Sequence, residues 1–404
     1  MNKVYITAAR RTAVGSFLGT LKDVPASVLA TAVIEAVIKD SKIEPTKIDE
    51  VVFGNVLSAG TKQGMTRQAA VNAGIPQTIP AYGVDMLCGS GMKSVINSYL
   101  HIKSGLHHAI IAGGAESMSR APYLVDAKIR SGNKMGNMEM VDHMMVDGLT
   151  DAFEGYHMGI TAENIAEKYG ITREQQDAFA IKSQEKAIAA DDRGDFEDEI
   201  VGIDVKVRRD IIHFNKDEYI NRKTSLEKLS TLRPAFKKDG SVTAGSSSGI
   251  NDAASATVVV SDTFVKDNNL EPLVEIIGVG QAGVDPAIMG LGPTPAIKNA
   301  LNQAGLTLQD MDVVELNEAF AAQSLGVIHE LVEAYSIDKD ALMAKTNING
   351  GAIAIGHPIG ASGNRIIVTL IHIMKKQNLK YGLASLCIGG GMGTAIVLKN
   401  TDFE

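Results

Sequence analysis

The chain has 404 residues, 45% of them apolar and 21% charged, with a net charge of −8, a composition that suits a globular protein large enough to bury more than one core. The acidic balance excludes a general polyanion-binding surface, so nucleic acid is not an expected partner and any phosphate-bearing ligand has to be met by a local basic patch. Two cysteines without a C-x-x-C spacing cannot build a disulfide framework, and no apolar run approaches the roughly 18 residues of a membrane span, so a soluble protein of a reducing, cytoplasmic compartment is expected.

The first segment, "MNKVYITAARRTAVGSF", has too short an apolar run for a signal peptide and predicts a strand. "IDEVVFGNV" (48–56) follows, and its pattern returns as "MDVVELNEA" (311–319). "GSGMKSVI" (89–96) returns as "ASGNRIIV" (361–368), and "HHAIIAGGAES" (107–117) as "GLASLCIGGGM" (382–392). Matches in one order with a slowly drifting offset predict two copies of one unit. Each copy alternates short β-branched runs with longer amphipathic stretches, so the fold class is α/β, a duplicated layered core.

"YGVDMLCGSGMKS" (82–94) sets Cys88 between an apolar run and Gly-Ser-Gly. Met92, Val95, Ile96, Tyr99 and Leu100 recur at helical spacing, with Gly105 where a C-terminal cap belongs. Cys88 should therefore stand at a helix N-terminus, and the equivalent helix of the second copy should run from about Ser362 to Lys376. Residues 120–250 have no counterpart in the second copy. This insert carries the Met-rich "RSGNKMGNMEMVDHMM", two helices ("TAENIAEKYG" and "TREQQDAFAIKSQEKAIAADDRG"), a strand in "IVGIDVKVRR" and the loop "SVTAGSSSGINDAAS". The expected organisation is an N-terminal half of residues 1–120 plus 251–270, an inserted loop domain of residues 121–250 for ligand binding and oligomer contacts, and a C-terminal half of residues 271–404.

Cysteine is a nucleophile only as thiolate, and a helix N-terminus or a nearby imidazole lowers its pKa. Gly89 and Gly91 leave backbone N–H groups accessible to a reacting carbonyl. The other reading of Cys88 is a small packed hydrophobe. His357, in the Gly/Pro turn "NGGAIAIGHPIGASG", occupies the position of the second copy equivalent to Cys88, so duplication would bring the two together across a pseudo-twofold axis; taken singly, a histidine in such a turn is more often a hydrogen-bonded loop residue. "LCIGGGMGTA" holds Cys387, and "ELNEAFAAQ" puts Asn317 and Glu318 at a strand end, where Asn either holds a water or caps a helix. "HELVE" (329–333) lacks the second histidine of a zinc helix, and His107 and His108 would point to opposite faces of a strand, so no metal site is expected. The glycine-rich runs match neither a P-loop nor a dinucleotide fingerprint, which argues against a nucleotide-dependent phosphotransferase or dehydrogenase.

"LCGSGMK" with Cys88, "NEAFA" with Asn317, "GGAIAIGHPIGASG" with His357 and "LCIGGGMG" with Cys387 together resemble the thiolase family, over essentially the whole chain. The resemblance implies two five-stranded halves in an αβαβα layering plus a loop domain, assembled as a homotetramer in which the Met-rich loop joins dimers. It implies an acetyl-CoA C-acetyltransferase activity with acetyl-CoA, acetoacetyl-CoA and coenzyme A as substrates and no further cofactor. Cys88 would take the acyl group, activated by His357. Cys387 would serve as acid or base on the α-carbon or the leaving thiol. His357 with a water on Asn317 would form one oxyanion hole, and the N–H groups of Cys88 and Gly389 the other. Ser248 would meet the pantetheine chain, His157, Met158, Phe236, Met289, Ala319 and Phe320 the acyl and pantetheine groups, and Arg222 the nucleotide. Asp85 and Ser246 depart from a commoner Asn at each position. A degradative 3-ketoacyl-CoA thiolase shares these motifs, although "GYHMG" resembles the short-chain group. A non-catalytic relative would have lost one of Cys88, His357 and Cys387, and Cys387 argues against a decarboxylating condensing enzyme.

Overall fold

A computed structural model describes residues 3–403. The strands that build the core are β1 (Val4–Thr12), β2 (Glu50–Gly54), β3 (Ala81–Val84), β4 (Ala109–Ser117), β5 (Asn251–Ser261), β6 (Val274–Gly283), β7 (Val313–Leu316), β8 (Tyr381–Ile388) and β9 (Met392–Asn400). The helices that matter below are α1 (Ala26–Ser41), α2 (Ser90–Lys103), α3 (Met158–Tyr169), α4 (Arg173–Asp192), α5 (Pro293–Ala304), α6 (Ala321–Tyr335) and α7 (Ile359–Lys376).

The strands run in the order β7-β8-β9-β6-β1-β5-β4-β2-β3. In the first half β2 is parallel to β3 and β4, while β4, β5 and β1 follow antiparallel. The second half repeats this, with β7 parallel to β8 and then β9 and β6 antiparallel. Even the irregularity is copied: the β1–β5 ladder shifts register between Ile6 and Ala8, and the β6–β9 ladder between Ile276 and Gly278. One expectation needs correction. The second half lacks a full fifth strand, and the place equivalent to β3 holds only an isolated parallel bridge between Val314 and Thr346. The two halves meet through a short antiparallel pairing of Tyr5 and Ile6 with Glu275 and Val274.

Strand alternation explains the layers. On β4, Ala109, Ile111 and Ala115 face an outer core with Leu29, Val33 and Val37 of α1, whereas Ile110 and Ala112 face a central core. That central core joins Met92, Val95 and Ile96 of α2 and Ile366, Ile367 and Leu370 of α7 to both halves of the sheet. A third core packs α5 and α6 on the far face of the second half. Helix α2 ends at Lys103, with Gly105 at φ +77°, as the cap residue predicts. Helix α7 starts at Ile359, a turn earlier than expected, because Pro358 with its restricted φ stands at the N-cap. From the insert, Ile200–Val201 adds to β1, and Thr172 opens α4 with a capping box to Gln175. Tyr123–Val125 and Met140–Asp142 pair as a two-stranded sheet. Among the described residues no helix is long and apolar enough to cross a membrane.

Candidate active site

Duplication sets the N-termini of α2 and α7 against one another in the central layer, and the backbones touch closely. A side chain on Gly91 would meet Asn364 N at 2.8 Å and Gly360 O at 3.0 Å, so only glycine permits this approach. Glu116 locks the junction from below, its carboxylate accepting from Val56 N (3.0 Å), Leu57 N (3.1 Å), Asn55 Nδ2 (2.9 Å) and Gly360 N (3.0 Å). Burial pushes this carboxyl up to about 7 against those donors.

Cys88 lies in a 3-10 turn, Leu87–Gly89, that runs directly into α2. Leu87 holds φ +48°, a left-handed conformation that a branched side chain adopts at a cost. Side chains staple the turn: Asp85 Oδ1 accepts from Leu87 N (3.0 Å), and Ser90 Oγ accepts from Met86 N (2.8 Å) while donating to Leu87 O (2.7 Å). Asp85 therefore makes the acceptor bond that the family's Asn oxygen could make, which accounts for the departure. Cys88 is half-buried as a residue, and its own N–H and that of Gly389 are near enough to the thiol to favour its charged form. These are two convergent donors of the kind an oxyanion requires.

The expectation of a thiolate-rich Cys88 fails for the unliganded site. Desolvation outweighs both donors and pushes the thiol up to about 11. The imidazole gives no opposing charge, because burial and then the Arg365 cation hold His357 down near about 3. Cys387, 1% exposed at the end of β8, is raised further still by burial and then by the Cys88 charge. Gly89, next to Cys88, packs on Ile388, next to Cys387, so the two cysteines stand in adjoining segments.

His357 is buried, with its N–H on Asn251 Oδ1 (2.9 Å) and its Nδ1 2.6 Å from Ser362 Oγ. Ser362 Oγ also sits 2.9 Å from Pro358 O. A hydroxyl has one proton. Donating it to Pro358 O leaves an acceptor for Nδ1–H, so the bare lone pair lies on Nε2, which has no protein partner. This is the tautomer a base needs. Ser362 was not singled out in the sequence; the spacing "HPIGAS" carried the signal, since a Ser four residues after a Pro carbonyl at a helix start can bond back to it. Asn317 is equally telling: 1% exposed, with neither amide atom bonded to protein. A buried amide in that state fits an ordered water or a ligand oxygen better than a helix cap. Its neighbour Glu318 turns away to Ser183 Oγ (2.6 Å) and Asn347 Nδ2 (2.8 Å), a packing role.

Met158, Met289, Ala319, Phe320 and Cys387 form one apolar cluster with Phe236 against it. Phe236 stacks on His157 (4.6 Å, 18°) and meets Phe320 edge-on (5.9 Å). His157 Nδ1 caps α3 by accepting from Gly159 N (2.9 Å). Ser248 N donates to Ala319 O (2.9 Å), and the loop before it is closed by reciprocal Thr243 and Ser246 bonds, in which Ser246 Oγ accepts from Thr243 N (2.9 Å). Gly389 has only Leu87 and Met158 near the space of an added side chain. Arg222 is placed differently from expectation: its guanidinium is tied to Asp191 and, at 2.8 Å, to Asp192. The adjacent cavity of about 620 Å³, lined by Tyr219, Asn221 and Gly245, takes its positive charge from Lys223 and Lys228. Of the expected nucleotide patch, these two lysines are the cations the cavity presents.

His107 and His108 also depart from expectation. Both precede β4 and lie in the turn after α2, where His107 turns toward Glu50 (3.8 Å) and His108 toward Ser261 Oγ (3.1 Å).

Comparison with known proteins agrees with this geometry. The thiolase N-terminal domain profile matches residues 4–263 and the thiolase C-terminal domain profile residues 270–400. A "probable acetyl-CoA acyltransferase" of Staphylococcus aureus is 50% identical over 400 residues, covering 99% of both chains. The crystal structure of the Bacillus anthracis acetyl-CoA acetyltransferase superposes with a TM-score of 0.94 at 42% identity, covering 99% of both chains. Human mitochondrial 3-ketoacyl-CoA thiolase in complex with CoA superposes at 0.92 and 42% identity, covering 99% of this chain and 98% of that one. With the two-profile match spanning the described core and the duplicated sheet beneath it, the chain belongs to the thiolase family.

Proposed function

We propose that this chain is an acetyl-CoA C-acetyltransferase that interconverts two acetyl-CoA with acetoacetyl-CoA and coenzyme A. The observation that carries the reading is the pair of cysteines in adjoining segments, one in the turn that opens a helix and the other sealed in an apolar cluster. A Claisen exchange needs one covalent nucleophile and one separate proton carrier. His357 Nε2 takes the Cys88 proton as sulfur attacks the thioester carbon, and the oxyanion lies under the N–H groups of Cys88 and Gly389. The departing CoA sulfur takes a proton from Cys387, which burial keeps protonated. Cys387, now thiolate, removes an α-proton from the second acetyl-CoA. The enolate oxygen is held by His357 Nε2–H and a water on Asn317, and the enolate carbon attacks acetyl-Cys88. Collapse expels the Cys88 thiolate, which recovers its proton from His357.

Ser248 and the His157, Met158, Phe236, Met289, Ala319 and Phe320 group hold the acyl and pantetheine parts in this reading, and Lys223 and Lys228 meet the phosphates. A degradative 3-ketoacyl-CoA thiolase is the second reading, favoured by the equal identity to the human enzyme. Thiolysis across acyl lengths with free CoA decides: a steep fall beyond four carbons supports the acetyl-specific enzyme, and a flat profile the degradative one. A cytoplasmic homotetramer is part of the proposal. Its support is the exposed apolar surface of the insert, with Met135 92% and Met140 67% exposed on the Met-rich loop. Deleting residues 131–140 should give dimers in light scattering, and a monomeric intact protein would refute the assembly.

A further inference from the structure

We propose that Glu50, His101 and His107 form a binding site for one borderline divalent metal ion, of the Zn²⁺, Co²⁺ or Ni²⁺ kind, at the end of α2 remote from Cys88. Among the described residues these three are the group whose ligand atoms, one from each, all lie within 4.8 Å of one another. His101 Nδ1 is 3.0 Å from one Glu50 oxygen, and His107 Nε2 is 3.8 Å from the other. Donors at about 2.0–2.2 Å from a tetrahedral ion stand roughly 3.3–3.5 Å apart, so small rotamer shifts bring the set onto a shared centre. The two rings lie 5.7 Å apart at 65°, edge-on rather than stacked.

The site is built rather than incidental. Glu50 is 8% exposed at the start of β2, so its carboxylate is already desolvated. Tyr82, on the neighbouring β3, lies near enough for the Glu50 charge to raise its phenol, the place of an outer partner for a ligating carboxylate. The turn bearing His107 is held to the strand bearing Glu50: Asp49 Oδ2 accepts from His108 N (2.6 Å) and Ala109 N (2.9 Å), and Leu106 N donates to His101 O (3.0 Å). Two imidazoles and one carboxylate select a borderline ion over Mg²⁺ or Ca²⁺, which prefer all-oxygen shells. A fourth position stays open for water. His107 stands in the turn before β4 and not on a strand, and that turn is what brings it beside His101 and Glu50.

Bound metal would clip the C-terminal turn of α2 to β2. That point is on the order of 20 Å along the helix from Cys88, so the expected effect is on stability, independent of the chemistry. The test uses chelator-treated full-length protein titrated with Co²⁺ and, separately, Zn²⁺. The expected result is one ion per chain, a metal-dependent rise in Tm, and a Co²⁺ spectrum without thiolate charge transfer. In His101→Ala/His107→Ala, and independently in Glu50→Gln should the double variant misfold, affinity should fall at least tenfold and the Tm shift vanish. The thiolase rate should stay within twofold of wild type. Undiminished binding in a folded variant, or a thiolate charge-transfer band showing that Cys88 and Cys387 hold the ion, would overturn the site.

Discussion

Ser362→Ala isolates the step on which the proposed chemistry turns. The hydroxyl it removes accepts from His357 Nδ1–H and donates to Pro358 O. Because His357 is 6% exposed, water cannot simply replace the lost acceptor, and an unpaired buried donor costs about 1–3 kcal/mol. The ring can escape by moving its proton to Nε2, but that tautomer cannot take the Cys88 proton. Either way the competent base becomes rarer by a factor that follows from the same energy, so acylation should slow about 10- to 100-fold. The assay is single-turnover release of CoA from acetyl-CoA, with alkylation of Cys88 as a second readout that needs no substrate binding. Ser362→Thr, which keeps a hydroxyl, should recover most of the rate. Loss of stability without loss of acylation rate, or failure of Thr to rescue a folded protein, would refute the positioning role.

The two cysteines should be chemically unequal. Radiolabel from acetyl-CoA should map to Cys88, vanish in Cys88→Ala, and persist in Cys387→Ser, which should acylate but condense very slowly; label on Cys387 would reverse the roles. Because burial raises the Cys88 thiol to about 11 and leaves His357 neutral, its alkylation rate without substrate should climb about tenfold per pH unit from about pH 6 to pH 9, and a plateau in that window would reveal a thiolate–imidazolium pair instead. Asn317→Ala should leave the acylation burst within about threefold while slowing condensation at least tenfold, since it loses a donor to the enolate alone; an equal loss in both steps would place Asn317 elsewhere. Lys223→Ala and Lys228→Ala should raise the KM for CoA with little change in kcat, as loss of uniform binding does, whereas Arg222→Ala, already paired to Asp191 and Asp192, should change KM less than either.

Much of this protein was legible in one dimension. Local rules operate over a few residues, and they were enough to find the internal repeat, the helix behind Cys88, its Gly105 cap and the amphipathic helices of the insert. The four motifs pointed to the groups to which the proposed chemistry is assigned, and the duplication foretold that the helix starts beside Cys88 and His357 would meet. What the sequence left open depends on neighbours supplied by distant segments. Desolvation by packed chain raises the Cys88 thiol where the helix end alone argues for lowering it. Arg222 is neutralised by two aspartates of α4, 31 residues away for one of them, so only the folded insert decides that Lys223 and Lys228 face the cavity. The spacing "HPIGAS" allows the Ser362 bond to Pro358 O, but only the folded turn brings the His357 ring within 2.6 Å of that hydroxyl and so places its proton. His107, five-odd ångströms from His101 ring to ring, comes beside Glu50 because a strand begins where the helix before it ends. The sequence by itself determined which residue types stand at the ends of each repeat's strands and helices. Their protonation, pairing and distance belong to the tertiary structure, since these depend on the dielectric and the partners that packing brings from elsewhere in the chain.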